Sequence, residues 1–224
     1  MSQAAAAAEA EEEAAGNYNI FSMNTAIIDT KFKEWTANLN PEEARISVFN
    51  HIRDIPYAIV PALRDPDVGT SGILEINKGS CQPKHFLLKL LFEKINIPIK
   101  YVSYPFKWQA QPLKFNSALK KAAEDLPFAY HLACKAYIGN QWILVDATYD
   151  PLLKNAGFPI NENWDGLSDT KNAVTAEAEV IHENLQERIK FESEKRSFYS
   201  ENEKIRYADF IEKFNFWLLN IRKA

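Results

Sequence analysis

The stretch AYHLACKAYIGNQWILVDATYDP, residues 129–151, decides how the rest of the chain is read. Alternating residues flank Gly139-Asn140, the pattern of two strands joined by a tight turn. A two- or four-residue loop centred on that dipeptide sets His131 opposite Thr148 and Asp146 opposite Ala133. One face of the ribbon then carries Leu132, Cys134, Ala136, Ile143, Val145 and Ala147, an apolar set suited to a core. The other face carries His131 and Asp146, with Lys135, Tyr137 and Trp142. His131 and Asp146 are diagonal neighbours, about 7 Å apart at the backbone, within the combined reach of an imidazole and a carboxylate. A three-residue loop without a bulge would break this parity.

A partner for that pair lies upstream, in NKGSCQPKHFLLKLL, residues 77–91. Phe86, Leu87, Leu90, Leu91 and Ile95 recur at helical spacing, so a helix is predicted from about Cys81 to Lys94. Gly79 allows a tight approach and Ser80 is placed to cap. A thiol is nucleophilic as the thiolate, and its ordinary pKa of about 8.5 leaves it mostly protonated at neutral pH. A helix N-terminus and a neighbouring imidazolium both favour the thiolate. Taken alone, a cysteine at a helix head is more often a small buried hydrophobe, and a strand histidine is more often satisfied by solvent. The order Cys, His, Asp on a helix head and two paired strands points instead to a nucleophile, an acid/base and an orienting carboxylate. Cys134 falls on the apolar face and reads as packing.

The remaining sequence frames this unit. The chain has 224 residues, 46% apolar and 12% aromatic, with a net charge of -4. It is long enough for one sizeable core with an appended subdomain. The charge and the lack of a basic stripe argue against nucleic acid, and no apolar run has the length of a membrane span. The Ala/Glu-rich residues 1–17 read as a disordered tail without a signal peptide's basic start. With only two cysteines, the expected compartment is the cytoplasm. Asn40-Pro41-Glu42-Glu43 reads as the capped start of a helix through about Asp54. RDPDVGTSG, residues 64–72, is the most loop-like segment, and Ile99 to Tyr104 alternates as a strand. A short helix is predicted near 116–125 and a loop over 151–170, with Trp164 in a packed turn. Residues 171–224 read as a C-terminal helical extension on the same domain, with Tyr207, Phe210, Ile211, Phe214, Trp217, Leu218 and Ile221 as its core stripe. Lys84, Lys89 and Lys94 read as a solvated helix face. His51, His85 and His182 have no second ligand at metal-like spacing.

Three blocks resemble the transglutaminase-like superfamily of papain-like thiol enzymes. They are ISVFNHIRDIPY (46–57), KGSCQPKHFLLKLLFEKINIPIKYV (78–102) and YHLACKAYIGNQWILVDATYDP (130–151), which carries a W-x-x-x-D-x-T pattern at Trp142, Asp146 and Thr148. The resemblance implies an α+β, papain-like/transglutaminase-core fold, the nucleophile helix packed on a small antiparallel sheet, with 18–170 as the catalytic domain. It implies a triad of Cys81, His131 and Asp146, with no cofactor and no metal in the core motif. The oxyanion hole would use the Cys81 backbone, with Tyr57 or Trp142 as second donor. Where many members have an aromatic residue two positions after the histidine, this chain has Ala133.

The function expected from these readings is thiol-dependent acyl transfer on a peptide, protein or small amide, through a Cys81 thioester. A non-catalytic binding or scaffold protein with the same fold is the first alternative. The second is an arylamine N-acetyltransferase-like enzyme, which typically has R-G-G-x-C and V-G-F-G where this chain has Lys78-Gly79-Ser80-Cys81 and Ala147-Thr148-Tyr149-Asp150.

Overall fold

The computed structural model describes residues 25–223; the tail expected over 1–17 lies outside them. Helix α1 occupies residues 25–36, followed by α2 (Pro41–Asp54), α3 (Pro66–Ile76) and α4 (Cys81–Lys94). Strand β1 (Ile99–Phe106), helix α5 (Ser117–Ala123) and strands β2 (Ala129–Ile138) and β3 (Gln141–Val145) come next. Strand β4 (Val180–His182) and helices α6 (Leu185–Ser197) and α7 (Glu201–Ile221) complete the chain. The strands form one antiparallel sheet in the order β3-β2-β1-β4. The architecture is α+β.

The β2–β3 hairpin has the register set by its turn residues, with Cys134 opposite Val145 and Ile138 opposite Gln141. Gly139 and Asn140 both take positive φ, 58° and 63°, as a two-residue turn matching strand twist requires. Pairing stops at Val145, so β2 residues 129–133 run on past the end of β3. The sheet is covered on both faces. Tyr101, Leu132, Cys134, Ala136, Ile143 and Val145 pack with α2 and α4, and Phe86 meets Tyr101 edge-on. Val102, Tyr104, Phe106 and Ala133 pack with the aromatic stripe of α7, where Phe210, Phe214 and Trp217 contact Trp108 and Phe115. Such aromatic pairs add about 0.5–1.5 kcal/mol each beyond the area they bury.

Asn40 caps α2 in a reciprocal box with Glu43, worth about 1 kcal/mol. Helix α4 is buried through its first two turns on every side, which explains why its apolar spacing is only partly amphipathic. Trp164 packs on Phe49 and Phe92, and its indole N–H donates to the Ser168 carbonyl, as a packed turn does.

Three expectations change. The loop-like 64–72 is mostly helix α3, capped by Asp65 with Pro66 at its first position. Its glycines serve close approach: a Cβ on Gly69 would stand 2.2 Å from the Leu63 carbonyl oxygen, and one on Gly72 2.7 Å from Leu63 Cδ2. Lys84 is fully buried rather than solvated, because its ammonium donates to the carbonyls of Arg53 and Thr148. The segment 171–224 also supplies β4, which pairs with β1, so the sheet continues into it. Among the described residues, no helix is long and apolar enough to cross a membrane.

Candidate active site

Cys81 is the first residue of α4 and is 9% exposed. The preceding turn is fixed by backbone pairing, Gly79 N–H to Pro56 carbonyl and Ala58 N–H to Gly79 carbonyl. Gly79 is needed there for space, since a Cβ would stand 2.7 Å from Ile73 Cδ1. Ser80 has the extended backbone of an N-cap, but its hydroxyl makes no capping bond. Pro83 has no N–H, so the Cys81 and Gln82 amides are left without a partner among the described residues. Unpaired amides at a helix head favour negative charge beside them.

His131 and Asp146, 3% and 1% exposed, meet where β3 has ended. Asp146 Oδ2 accepts from His131 Nε2 at 2.8 Å and from the Ala173 N–H at 2.8 Å. Its Oδ1 accepts from the Thr148 N–H at 3.2 Å, while its own N–H donates to Thr170 Oγ1. Burial alone would raise the Asp146 carboxyl, but His131 and these donors bring it down to about 2. Burial likewise lowers His131, yet the Asp146 carboxylate and then the Cys81 sulfur reverse this and carry it to about 10. With Nε2 on Asp146, Nδ1 is the ring nitrogen left for the thiol. Three of the predicted residues thus come together in one buried line. Cys134 lies apart, with no exposed surface and its Sγ on the His85 carbonyl.

His85, passed over as lacking metal-like spacing, lies one helical turn beyond Cys81 and is fully buried. Its Nδ1 donates to the Cys81 carbonyl at 2.8 Å and its Nε2 accepts the Ala147 N–H at 3.1 Å. Burial holds it neutral, down to about 4. Lys84 beside it is lowered by burial to about 7, against the opposing pull of Asp150. These two side chains tie the nucleophile helix to the backbone around Asp146. The local signal for them is position alone, since i+3 and i+4 from Cys81 point back along one helix face.

The thiol and His131 border a small cavity of about 40 Å³, lined also by Tyr57, Tyr149, Arg64 and Arg196. Tyr57 is therefore at the site. Burial, with Tyr149 and Cys81 nearby, raises its phenol well above the ordinary tyrosine value, so it remains a proton donor. Tyr149 is raised in the same way and was not among the predicted residues. Trp142 is corrected: it lies four residues before Asp146, about 13 Å at strand spacing, packed at a tilt against Tyr137 under Lys100 and 40% exposed. It does not line the cavity. The parity was right and the distance along the ribbon excludes it.

A second clamp closes the floor. Buried Asp150 accepts the Tyr57 N–H at 2.8 Å and pairs with Arg222, whose Nη2 also donates to the Tyr57 carbonyl at 2.9 Å. Among the described residues, no group of three or more His, Cys, Asp or Glu is placed to hold a metal ion.

No protein-family model and no curated protein matches this chain. Among solved structures it is similar to a proposed cysteine protease from Cytophaga hutchinsonii, at 18% identity and a TM-score of 0.39. The similarity covers 72% of this chain and 47% of that one, so the chain spans less than half of that protein's length. A likeness of that degree carries no conclusion about chemistry.

Proposed function

We propose that the chain is a thiol acyl-transfer enzyme acting on amide bonds, built on a transglutaminase-like, papain-like core. The observation that supports this reading is the Cys81–His131–Asp146 line, with its imidazole held by a carboxylate and its sulfur at a helix head inside a cavity. An acid/base pair braced in this way is what amide cleavage by a thiol requires.

In the reaction the Cys81 sulfur attacks the amide carbonyl carbon while His131 holds the thiol's proton as an imidazolium. The carbonyl oxygen becomes an oxyanion facing the Cys81 N–H, with the Tyr57 hydroxyl as the second donor. The C–N bond breaks, His131 passes its proton to the departing amine, and a thioester remains on Cys81. Water then attacks the thioester; His131 takes its proton, the C–S bond breaks, and the thiol is restored with release of a carboxylic acid. An amine in place of water would give a new amide. Hydrolysis is the preferred outcome, because about 40 Å³ beside the thiol is room for a few waters.

The test is intact and peptide mass spectrometry after incubation with a library of peptides and small amides. A thioester on Cys81, absent in His131→Ala, supports the reading. No adduct across the library favours the scaffold alternative, and an acetyl adduct formed from acetyl-CoA favours the N-acetyltransferase alternative.

A further inference from the structure

Two guanidiniums and no carboxylate line the cavity that holds the thiol. Arg64, from the turn before α3, and Arg196, near the end of α6, both border it. Arg64 makes no hydrogen bond or ion pair among the described residues. It is half-buried, and desolvation together with the neighbouring Arg196 lowers it below the usual arginine range. Arg196 has Glu192 as its counter-ion but Arg64 is paired with no carboxylate among the described residues, so a visiting anion would relieve the repulsion between the two guanidiniums.

The same arginines continue into an adjoining groove of about 540 Å³ that Arg188 also lines. Arg188 is 1% exposed and gives Nη1 to Glu192 at 2.9 Å, while its Nε and Nη2 are buried without a partner. Glu192 is shared out: it accepts from Arg188, from Arg196 Nε at 2.7 Å and from the side chain of Gln82, the residue after the nucleophile. One carboxylate therefore serves two arginines and the residue that follows Cys81, and Arg64 is left without a pair among the described residues. The groove's other carboxylates, Asp65 and Asp67, are exposed to solvent. Buried guanidinium donors left unpaired are the mark of a site whose occupant is an oxyanion.

We propose that Arg64, Arg196 and Arg188 form an oxyanion-binding subsite beside Cys81, which selects acyl donors bearing a carboxylate or phosphate close to the scissile carbonyl. This rests on the thiol-enzyme reading and names its substrate class. The planar fork of arginine suits either anion, and its position at the cavity mouth places the anion alongside the bond to be broken.

The test needs no knowledge of the natural substrate. The rates of Cys81 alkylation by iodoacetate and by iodoacetamide are compared at matched ionic strength, as a ratio normalised to that of a small free thiol. The normalised ratio in the native chain is expected to favour iodoacetate by about tenfold, the effect of one nearby charge at intermediate dielectric. It is expected to fall several-fold in Arg64→Gln and to be kept in Arg64→Lys. A ratio unchanged in Arg64→Gln overturns the subsite and leaves the thiol-enzyme reading standing. Failure of either reagent to modify native Cys81 overturns both. Independently of any variant, succinate or inorganic phosphate is expected to slow alkylation beyond chloride at equal ionic strength, and whichever acts more strongly identifies the anion; equal effects of all three salts overturn the proposal.

Discussion

The Nδ1–H of His85 donates to the carbonyl oxygen of Cys81, while the Nε2 of the same ring accepts the N–H of Ala147, two residues from the end of β3. One neutral imidazole thus sets the nucleophile's peptide plane against the segment that carries Asp146. The ring is held at about 4, below the usual 6.5, so it is the unfolded chain that takes up a proton first. The stability His85 contributes is present above pH 6.5 and is lost as pH falls toward 4, at about 1.4 kcal/mol per pH unit. His182, lowered by burial to about 4, adds to the same slope. Urea unfolding across pH 4–6.5 is expected to show the loss, with a shallower slope in His85→Phe. That variant is also expected to be less stable by about 2–5 kcal/mol, from the buried carbonyl and N–H it leaves unpaired.

Lys84 and His131 oppose each other on the alkaline side. His131 is raised to about 10, so its contribution is complete below pH 6.5 and is lost as pH rises through 10. Lys84 is lowered to about 7 from 10.5, so its cost is complete below 7 and is relieved on the way to 10.5. The two slopes have opposite sign over nearly the same window. The native chain is expected to change little in stability between pH 7 and 9.5, and Lys84→Met to lose stability steadily there. Parallel profiles for the two proteins would show that Lys84 does not titrate in that range.

Asp146→Asn keeps the shape of the side chain and removes its charge. The amide has one acceptor oxygen for what are now three donors: His131, Ala173 and Thr148. Without the carboxylate His131 loses its main reason to stay protonated. Turnover of any amide substrate found for the native chain is expected to fall by about 10²–10⁴, with a loss of stability of about 1–3 kcal/mol from the mismatched donors. Steady-state kinetics and denaturant unfolding measure the two effects separately.

Arg222 lies just past α7 and reaches Asp150 and the Tyr57 carbonyl. Arg222→Ala leaves a buried carboxylate without its cation, which costs about 3–5 kcal/mol. At about 2–4 °C per kcal/mol for a chain of this size, calorimetry is expected to show Tm lowered by roughly 6–20 °C. Because Tyr57 pairs with Gly79 just before the nucleophile, Cys81 alkylation is expected to slow as well.

What the sequence made legible were the features with a local cause. The register of β2 and β3 followed from Gly139-Asn140, and the span of α4 from its apolar spacing. The joint placement of Cys81, His131 and Asp146 follows from those two elements. Illegible were the features caused by contacts distant in sequence. Gly69 and Gly72 read as loop residues until Leu63 is seen against them. Lys84 reads as solvated until the carbonyls of Arg53 and Thr148 surround it. The Arg222–Asp150 pair joins residues 72 apart in sequence, and β4 is three residues long, too short for any periodicity to declare it.

The most direct measurement is the pH profile of Cys81 carboxamidomethylation by iodoacetamide, read by peptide mass spectrometry in the native chain and in His131→Ala. Cys134, fully buried and raised by that burial, serves as the unreactive internal reference. The account predicts that native Cys81 is modified faster than Cys81 of His131→Ala across about pH 6–8, with a different pH dependence in the two proteins, because the imidazole holds the thiol's proton. Superimposable profiles in the two proteins would mean that the imidazole does not act on the sulfur, and would contradict the mechanism.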